Sequence, residues 1–277
     1  MDLRTQFERD GFLMLPEFVP AEACDSLRDH ANSLVAAFEP DEECRSIFST
    51  NEQTRTSDDY FLGSGDQIRY FFEPEAFDET GELRQPIELS INKIGHAQHD
   101  LDPAFDAFSR TPQLAELATA LGIGSHVLLQ SMYIFKQPRI GGEVICHDDH
   151  TFIWTNPASC VGFWFAIEDA TVDNGCMWAQ PGGHRHPPRK RFRRTAEGTT
   201  TFDLLDPDPF PTEGLTSLEA SKGTLIVLDG LLPHLSGPNR SDQSRHAYTL
   251  HTIDPTAEYP SDNWLHRDSL ELRGFSG

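Results

Sequence analysis

Residues 143–154 read EVICHDDHTFIW, which sets four metal-capable side chains in a row: His147, Asp148, Asp149 and His150. Four adjacent residues cannot all face one ion from a regular backbone. If the run is a β-strand, successive side chains point to opposite faces, so His147 pairs with Asp149 on one side and Asp148 with His150 on the other. The flanking apolar residues do not mark one face, so both pairs stay open. A His-x-Asp pair joined by a distant histidine is the ligand set of the 2-His-1-carboxylate facial triad, which holds Fe(II) on one side and leaves the opposite positions free. In a chain with 12 His and 44 Asp plus Glu such a pair is a weak signal alone, so the downstream residues decide its weight.

Those residues lie in GTLIVLDGLLPHLSGPNRSDQSRHAYTLH. An expected apolar strand over residues 224–228 runs through a glycine-containing turn into His234, and Arg245, eleven residues on, begins another strand. A histidine closing one strand and an arginine on the next can point into the same barrel, the first toward a metal and the second toward a carboxylate. Arginine suits that task because its planar fork makes two parallel charge-assisted hydrogen bonds.

The elements that must hold these groups change in character along the chain. Near the start come a short helix, an apolar strand around residues 12–15, and a helix entered at Pro20 with Leu27, Ala31, Leu34, Val35 and Phe38 at helical spacing. Residues 39–65 read as loops with a short strand, and two or three further helices are expected between Gln85 and Leu121. From His126 onward strand-like runs take over: HVLLQSMYIF, EVICHDDHTF, CVGFWFAIED, CMWAQ, GTLIVLDG and HAYTLHTI. Many short strands without alternating helices argue for antiparallel sheets packed as a jelly roll, the architecture also used by cupins. The expected fold is mainly β with flanking helices: one domain over residues 1–277, with a helical buttress mostly in 1–122 and a β-core mostly in 126–254.

Composition narrows the partners. A formal net charge of -22 repels polyanions, so nucleic acid is not an expected partner. The longest apolar run, VGFWFAI, is too short to span a membrane, and the N-terminus lacks the pattern of a secretory signal; a cytoplasmic protein with no membrane partner is expected. Five cysteines, Cys24, Cys44, Cys146, Cys160 and Cys176, form no C-x-x-C pair and read as reduced thiols.

Taken together, DGFLMLPEFVP, INKIGHA, QSMYIFKQP, GGEV, AIEDATVDNGCMW, PGGH and SDQSRHAYTLH run through nearly the whole chain and resemble the phytanoyl-CoA dioxygenase family of iron(II)/2-oxoglutarate oxygenases. The resemblance implies a double-stranded β-helix with Fe(II) held by His147, Asp149 and His234, leaving Asp148 and His150 as wall residues. It implies 2-oxoglutarate contacts from Arg245, Ser236, Lys93, Met132 and Trp164, and O2 as the co-reactant. Oxidative decarboxylation of 2-oxoglutarate to succinate and CO2 would then drive hydroxylation of a small molecule. The carboxylate at Asp149 favours that outcome over halogenation, because the family's halogenases lack it. Two positions depart from the pattern: Pro181-Gly182-Gly183-His184 stands where the family usually has Pro-Gly-Ser-His, and Asp148 stands where close relatives carry an amide.

The substrate is less legible. PPRKRFRRT packs Arg189, Lys190, Arg191, Arg193 and Arg194 together, which suits either an anionic substrate group or a solvated loop paired with the protein's own acids. The other histidines read as surface or hydrogen-bonded core residues, with His184 and His186 as candidates for the pocket wall. Cys146 reads as a packed thiol on the far face of the strand. Two competitors remain: a non-catalytic barrel that binds 2-oxoglutarate as a sensor, and a cupin-like zinc hydrolase or isomerase. The complete triad argues against the first and Arg245 against the second.

Overall fold

The computed structural model describes residues 2–40, 45–48 and 58–275. Helix α1 (Leu3–Asp10) is started by the Asp2 carboxylate, which accepts from the Thr5 amide, and ended by Gly11 in the left-handed region at φ 79°. Strand β1 (Phe12–Leu15) follows, then α2 (Ala21–Ala36), which buries Cys24, Leu27, Ala31 and Val35 along one stripe. After α3 (Asp59–Leu62) come β2 (Ile68–Phe72) and β3 (Ile91–His96), then α4 (Gln98–Leu101), α5 (Pro103–Ser109) and α6 (Pro112–Leu121). Asp102 and Thr111 cap the last two helices, each with proline in the first turn.

The remaining strands are β4 (Val127–Ile134), β5 (Val144–His147), β6 (Val161–Ala166), β7 (Met177–Ala179), β8 (Lys190–Arg194), β9 (Thr200–Leu204), β10 (Thr216–Leu218), β11 (Leu225–Asp229), β12 (His234–Ser236) and β13 (Ala247–Ile253). Seven of the strands form an antiparallel sheet in the order β1-β11-β6-β13-β4-β3-β2, and a four-stranded sheet, β10-β7-β12-β5, faces it. Strands β8 and β9 make a separate hairpin. This is the jelly roll expected from the run of short strands and the double-stranded β-helix that the resemblance implies, mostly β with helices on one side.

Alternation along the large sheet divides the chain's apolar residues into two layers. Phe163, Phe165, Tyr133, Tyr248 and Leu250 pack with the helical residues Leu27, Phe105, Leu114 and Leu117 in the larger core. Trp164, Ala166, Met177, Ala179, Ile226 and Leu228 pack between the sheets. Each fully buried side chain of this size contributes about 1.5–3 kcal/mol. The helices therefore buttress the outer face of one sheet and leave its inner face to the site.

Three expectations are corrected. Residues 91–96, which hold Lys93, form a fully buried strand inside the segment where only helices were expected. The described part of residues 39–65 contains α3 and a single bridge from Ile47 to Phe72 instead of a strand; the rest of that segment, with Cys44, lies outside the described residues. The basic run at residues 190–194 is a strand whose partner was not foreseen. No helix among the described residues is long and apolar enough to cross a membrane.

Candidate metal and cosubstrate site

Strand β5 ends at His147, and β12 begins at His234; the two residues are direct cross-strand partners, with ring centroids 4.4 Å apart. The strand does not continue through Asp149, so the alternation argument fails there. A short 3-10 turn over Asp149–Thr151 takes over, started by Asp148, whose carboxylate accepts from the Thr151 amide and hydroxyl, both at 2.8 Å. Asp148 is thus occupied as a cap, and His150 is buried against Trp154. The turn swings Asp149 back between the histidines: its Oδ1 lies 3.9 Å from His147 Nε2 and 3.8 Å from His234 Nε2. One ligand atom from each of the three residues falls within 4.8 Å of the others.

Backbone carbonyls fix the tautomers of both imidazoles. His147 Nδ1 sits 2.8 Å from the Ile145 carbonyl and His234 Nδ1 2.9 Å from that of Leu232. A carbonyl only accepts, so each Nδ1 carries the hydrogen and each Nε2 presents a lone pair toward Asp149. Burial, with His234 nearby, lowers the His147 pKa to about 4, so it is neutral at physiological pH, as a metal ligand must be. Two imidazole Nε2 atoms and a carboxylate around one point form a donor set suited to a divalent transition metal.

On the same cavity, Arg245 lies two residues before β13 and is only 2% exposed. Its Nε and Nη1 have no hydrogen-bond partner among the described residues, and its guanidinium stacks on Trp164 at 5.3 Å. Burial lowers its pKa to about 10, which leaves it charged. An unpaired buried guanidinium is costly, and a carboxylate ligand is the group that would satisfy it. Ser236 is two residues beyond His234, and its hydroxyl oxygen accepts from Lys136 Nζ at 2.9 Å. Lys93 points its Nζ at Met132 Sδ (3.6 Å) and over the Phe48 ring (3.5 Å), and burial pulls its pKa down to about 7. His147, Asp149, His234, Arg245, Ser236, Lys93, Met132 and Trp164 all line one cavity of about 420 Å³.

Other sequence candidates fall elsewhere. His186 is exposed and His184 Nε2 meets the Glu8 carbonyl at 3.2 Å, so neither lines the cavity. Cys146 does border it, with a half-buried thiol whose pKa burial raises to about 11. In the basic run, Arg191 pairs with Asp262, Arg193 with Asp203, and Arg194 donates to the carbonyls of Leu62 and Trp264. Arg189 and Lys190 instead share the face of Phe210, and of the two only Lys190 lines the cavity, beside Phe210. Sequence reasoning missed Lys136, which lies in the quoted QSMYIFKQP but was given no role, and His96 and His251, which it took for ordinary core or surface histidines; all three line the cavity.

Comparison with known proteins agrees with this geometry. A family model described as phytanoyl-CoA dioxygenase (PhyH) matches residues 7–247. The chain is 43% identical over 265 residues to a phytanoyl-CoA dioxygenase of Arabidopsis thaliana, covering 95% of this chain and 92% of that one. It is 42% identical over 268 residues to phytanoyl-CoA dioxygenase domain-containing protein 1 of Mus musculus, covering 94% and 92%. Among solved structures, the epimerase SnoN in complex with Fe3+, alpha ketoglutarate and nogalamycin RO shares the fold at a TM-score of 0.63, with 17% identity over 98% of this chain and 93% of that one. EctD from S. alaskensis with 2-oxoglutarate and 5-hydroxyectoine does so at 0.61, with 19% identity over 93% and 77%. With a match that runs through both histidines, the aspartate and the buried arginine, the chain belongs to the phytanoyl-CoA dioxygenase family of iron/2-oxoglutarate oxygenases.

Proposed function

We propose that the chain, as one domain in the cytoplasm, is an Fe(II)- and 2-oxoglutarate-dependent dioxygenase that hydroxylates a small molecule. The observation that carries this reading is the buried, unpaired Arg245 facing the same cavity as the His147–Asp149–His234 donor set. His147, Asp149 and His234 would hold Fe(II), and Arg245 with Ser236 would take the distal carboxylate of 2-oxoglutarate. When bound, the iron supplies oxidative decarboxylation of 2-oxoglutarate by O2, giving succinate, CO2 and the oxidising power for C–H hydroxylation. Lys136, by donating to Ser236 Oγ, leaves the serine hydrogen free to donate toward that carboxylate. Lys93, Met132 and Trp164 would complete the cosubstrate wall, and the rings of Phe152, Phe192 and Phe202 exclude water from the rest of the cavity. Two structural neighbours, one in complex with Fe3+ and alpha ketoglutarate and one with 2-oxoglutarate, support the cofactor assignment. The cavity volume, shared with the cosubstrate, favours a small substrate. Lys190 at its edge is the candidate contact for an anionic group, with Arg189 behind it across the Phe210 ring.

Anaerobic addition of Fe(II) and 2-oxoglutarate to the metal-free protein should give a visible charge-transfer band, followed in air by succinate release. Cosubstrate binding with no succinate under any condition would support instead a non-catalytic 2-oxoglutarate sensor.

A further inference from the structure

Two buried imidazoles in the cavity wall are not used by the proposed metal or cosubstrate sites. His96, on β3, is wholly buried, and its rim contacts are Phe61, Phe71 and Trp264. Its Nδ1 lies 2.7 Å from Ser64 Oγ, and Ser64 Oγ donates its one hydrogen to the Phe61 carbonyl at 2.5 Å. Ser64 can therefore only accept from the imidazole, so His96 Nδ1 carries the hydrogen and Nε2 is a bare lone pair. That Nε2 is buried and has no partner among the described residues.

His251, on β13, reaches the same state by a different route. Its Nε2 lies 3.3 Å from Asp149 Oδ2, an oxygen to which no other group among the described residues donates. Two facing lone pairs at that separation would repel, so Nε2 carries the hydrogen and Nδ1 is bare. His251 Nδ1 is likewise buried and unpartnered. The approach depends on Gly162, the cross-strand neighbour of His251: a Cβ there would stand 3.1 Å from Asp149 Oδ2 and 3.6 Å from the His251 ring. On the other side of His251 its strand partner is Gln130, also on the cavity wall.

Both orphaned atoms are acceptors, and a buried acceptor left unmade is costly. We propose that this wall binds a substrate through its hydrogen-bond donors: hydroxyl or N–H groups, one hydrogen for each acceptor at His96 Nε2 and His251 Nδ1, on an otherwise apolar body that fits the phenyl-lined cavity. The substrate class is thus an alcohol, amide or amine; ketones, esters and ethers of the same shape are rejected. This deepens the oxygenase reading and rests on it for the word substrate, but the binding preference stands on the two imidazoles alone.

The test is calorimetric titration of the full chain, metal-free and again with Mn(II) and 2-oxoglutarate, using matched probes: cyclohexanol against cyclohexanone, and 1-phenylethanol against acetophenone. The alcohol of each pair should bind about tenfold more tightly, the value of one neutral hydrogen bond in a buried site. His96→Phe and His251→Phe should each shrink that preference. Equal affinity within the pairs, no saturable binding of either alcohol, or a preference that survives both substitutions overturns the proposal. Should either variant fail to fold, the wild-type alcohol-to-ketone ratio decides alone. Binding of 2-oxoglutarate, titrated separately without probes, tests the oxygenase reading, so the two can fail independently.

Discussion

Of the aspartate side chains withdrawn from solvent, Asp100 and Asp149 make a contrast, because the chain completes the surroundings of only the first. Asp100 meets Arg110 at 2.6 Å, Arg273 at 2.8 Å and Arg267, while His99 Nε2 lies 3.2 Å away. Asp149 is ringed by His147, His234 and His251, with no lysine or arginine paired to it among the described residues. Burial works to raise both pKa values. At Asp100 the hydrogen bonds from His99, Arg267 and Arg273 overcome it, and at Asp149 the imidazoles of His251, His234 and His147 do, so both remain carboxylates. The first cluster is charge-complete and ties the C-terminal segment to α4 and α5. The second holds an anion beside two imidazoles, His147 and His234, whose Nε2 lone pairs converge on it, an arrangement shaped to take a cation. Buried charge that the chain itself satisfies is architecture; buried charge that it leaves unsatisfied marks what the fold is built to receive.

Substitution at the two positions should separate these roles. Asp149→Ala should reduce 2-oxoglutarate turnover to background and abolish tight metal binding, while the metal-free melting temperature stays level or rises because an unpaired buried carboxylate is gone. A large drop in metal-free stability would make Asp149 structural and erase the contrast. Asp100→Ala should do the reverse: it strands Arg267 without its counterion, leaves Arg110 and Arg273 to share Asp106, and should destabilise by about 3–5 kcal/mol in denaturant melts, with turnover per folded molecule retained.

The same logic applies to arginines. Arg267 is buried against Asp100, whereas Arg245 is buried against an aromatic ring and an open cavity. Arg245→Met should raise the KM for 2-oxoglutarate about 100-fold, the loss of roughly 3 kcal/mol in charge-assisted hydrogen bonds. Stability of the cosubstrate-free protein should not fall. An unchanged KM would remove Arg245 from the cosubstrate site.

The ligands were legible in the sequence because their types are restrictive: few chemistries need His-x-Asp, a distant histidine and an arginine beyond it. Which of the two pairs at residues 147–150 faces the metal was not legible from period, since β5 ends at His147 and the turn capped by Asp148, not strand alternation, aims Asp149. The sheets followed from their apolar runs. The β8–β9 hairpin did not, because Phe192 is the only apolar side chain in β8 and ion pairs to Asp203 and Asp262 hold its arginines. His96 and His251 escaped notice for another reason: a histidine in a strand looks the same whether its second nitrogen is satisfied or bare, and only the positions of Ser64 and Asp149 tell the two apart.

The smallest effect tests whether the cavity is short of anions as well as of a cation. Lys93 and Lys136 are both buried, and burial lowers each pKa to about 7, against 10.5 for an ordinary lysine. Between those values the unfolded chain holds a proton that the folded chain has lost, so the unfolded state binds more protons and stability must rise with pH. The burial penalty is therefore fully present below about pH 7 and is relieved above it. Cys24 and Cys146, whose thiols burial raises to about 11 from 9.0, act in the opposite sense once unfolded thiols ionise, which confines the clean window to roughly pH 7–8.5. Across it the metal-free protein should gain about 1 kcal/mol per pH unit from each lysine at most, measured by urea unfolding. Lys93→Met should remove its share of that slope. Saturating 2-oxoglutarate, a dianion that favours the protonated amines, should flatten the slope in the wild type; a slope indifferent to the dianion would place its carboxylates away from both lysines.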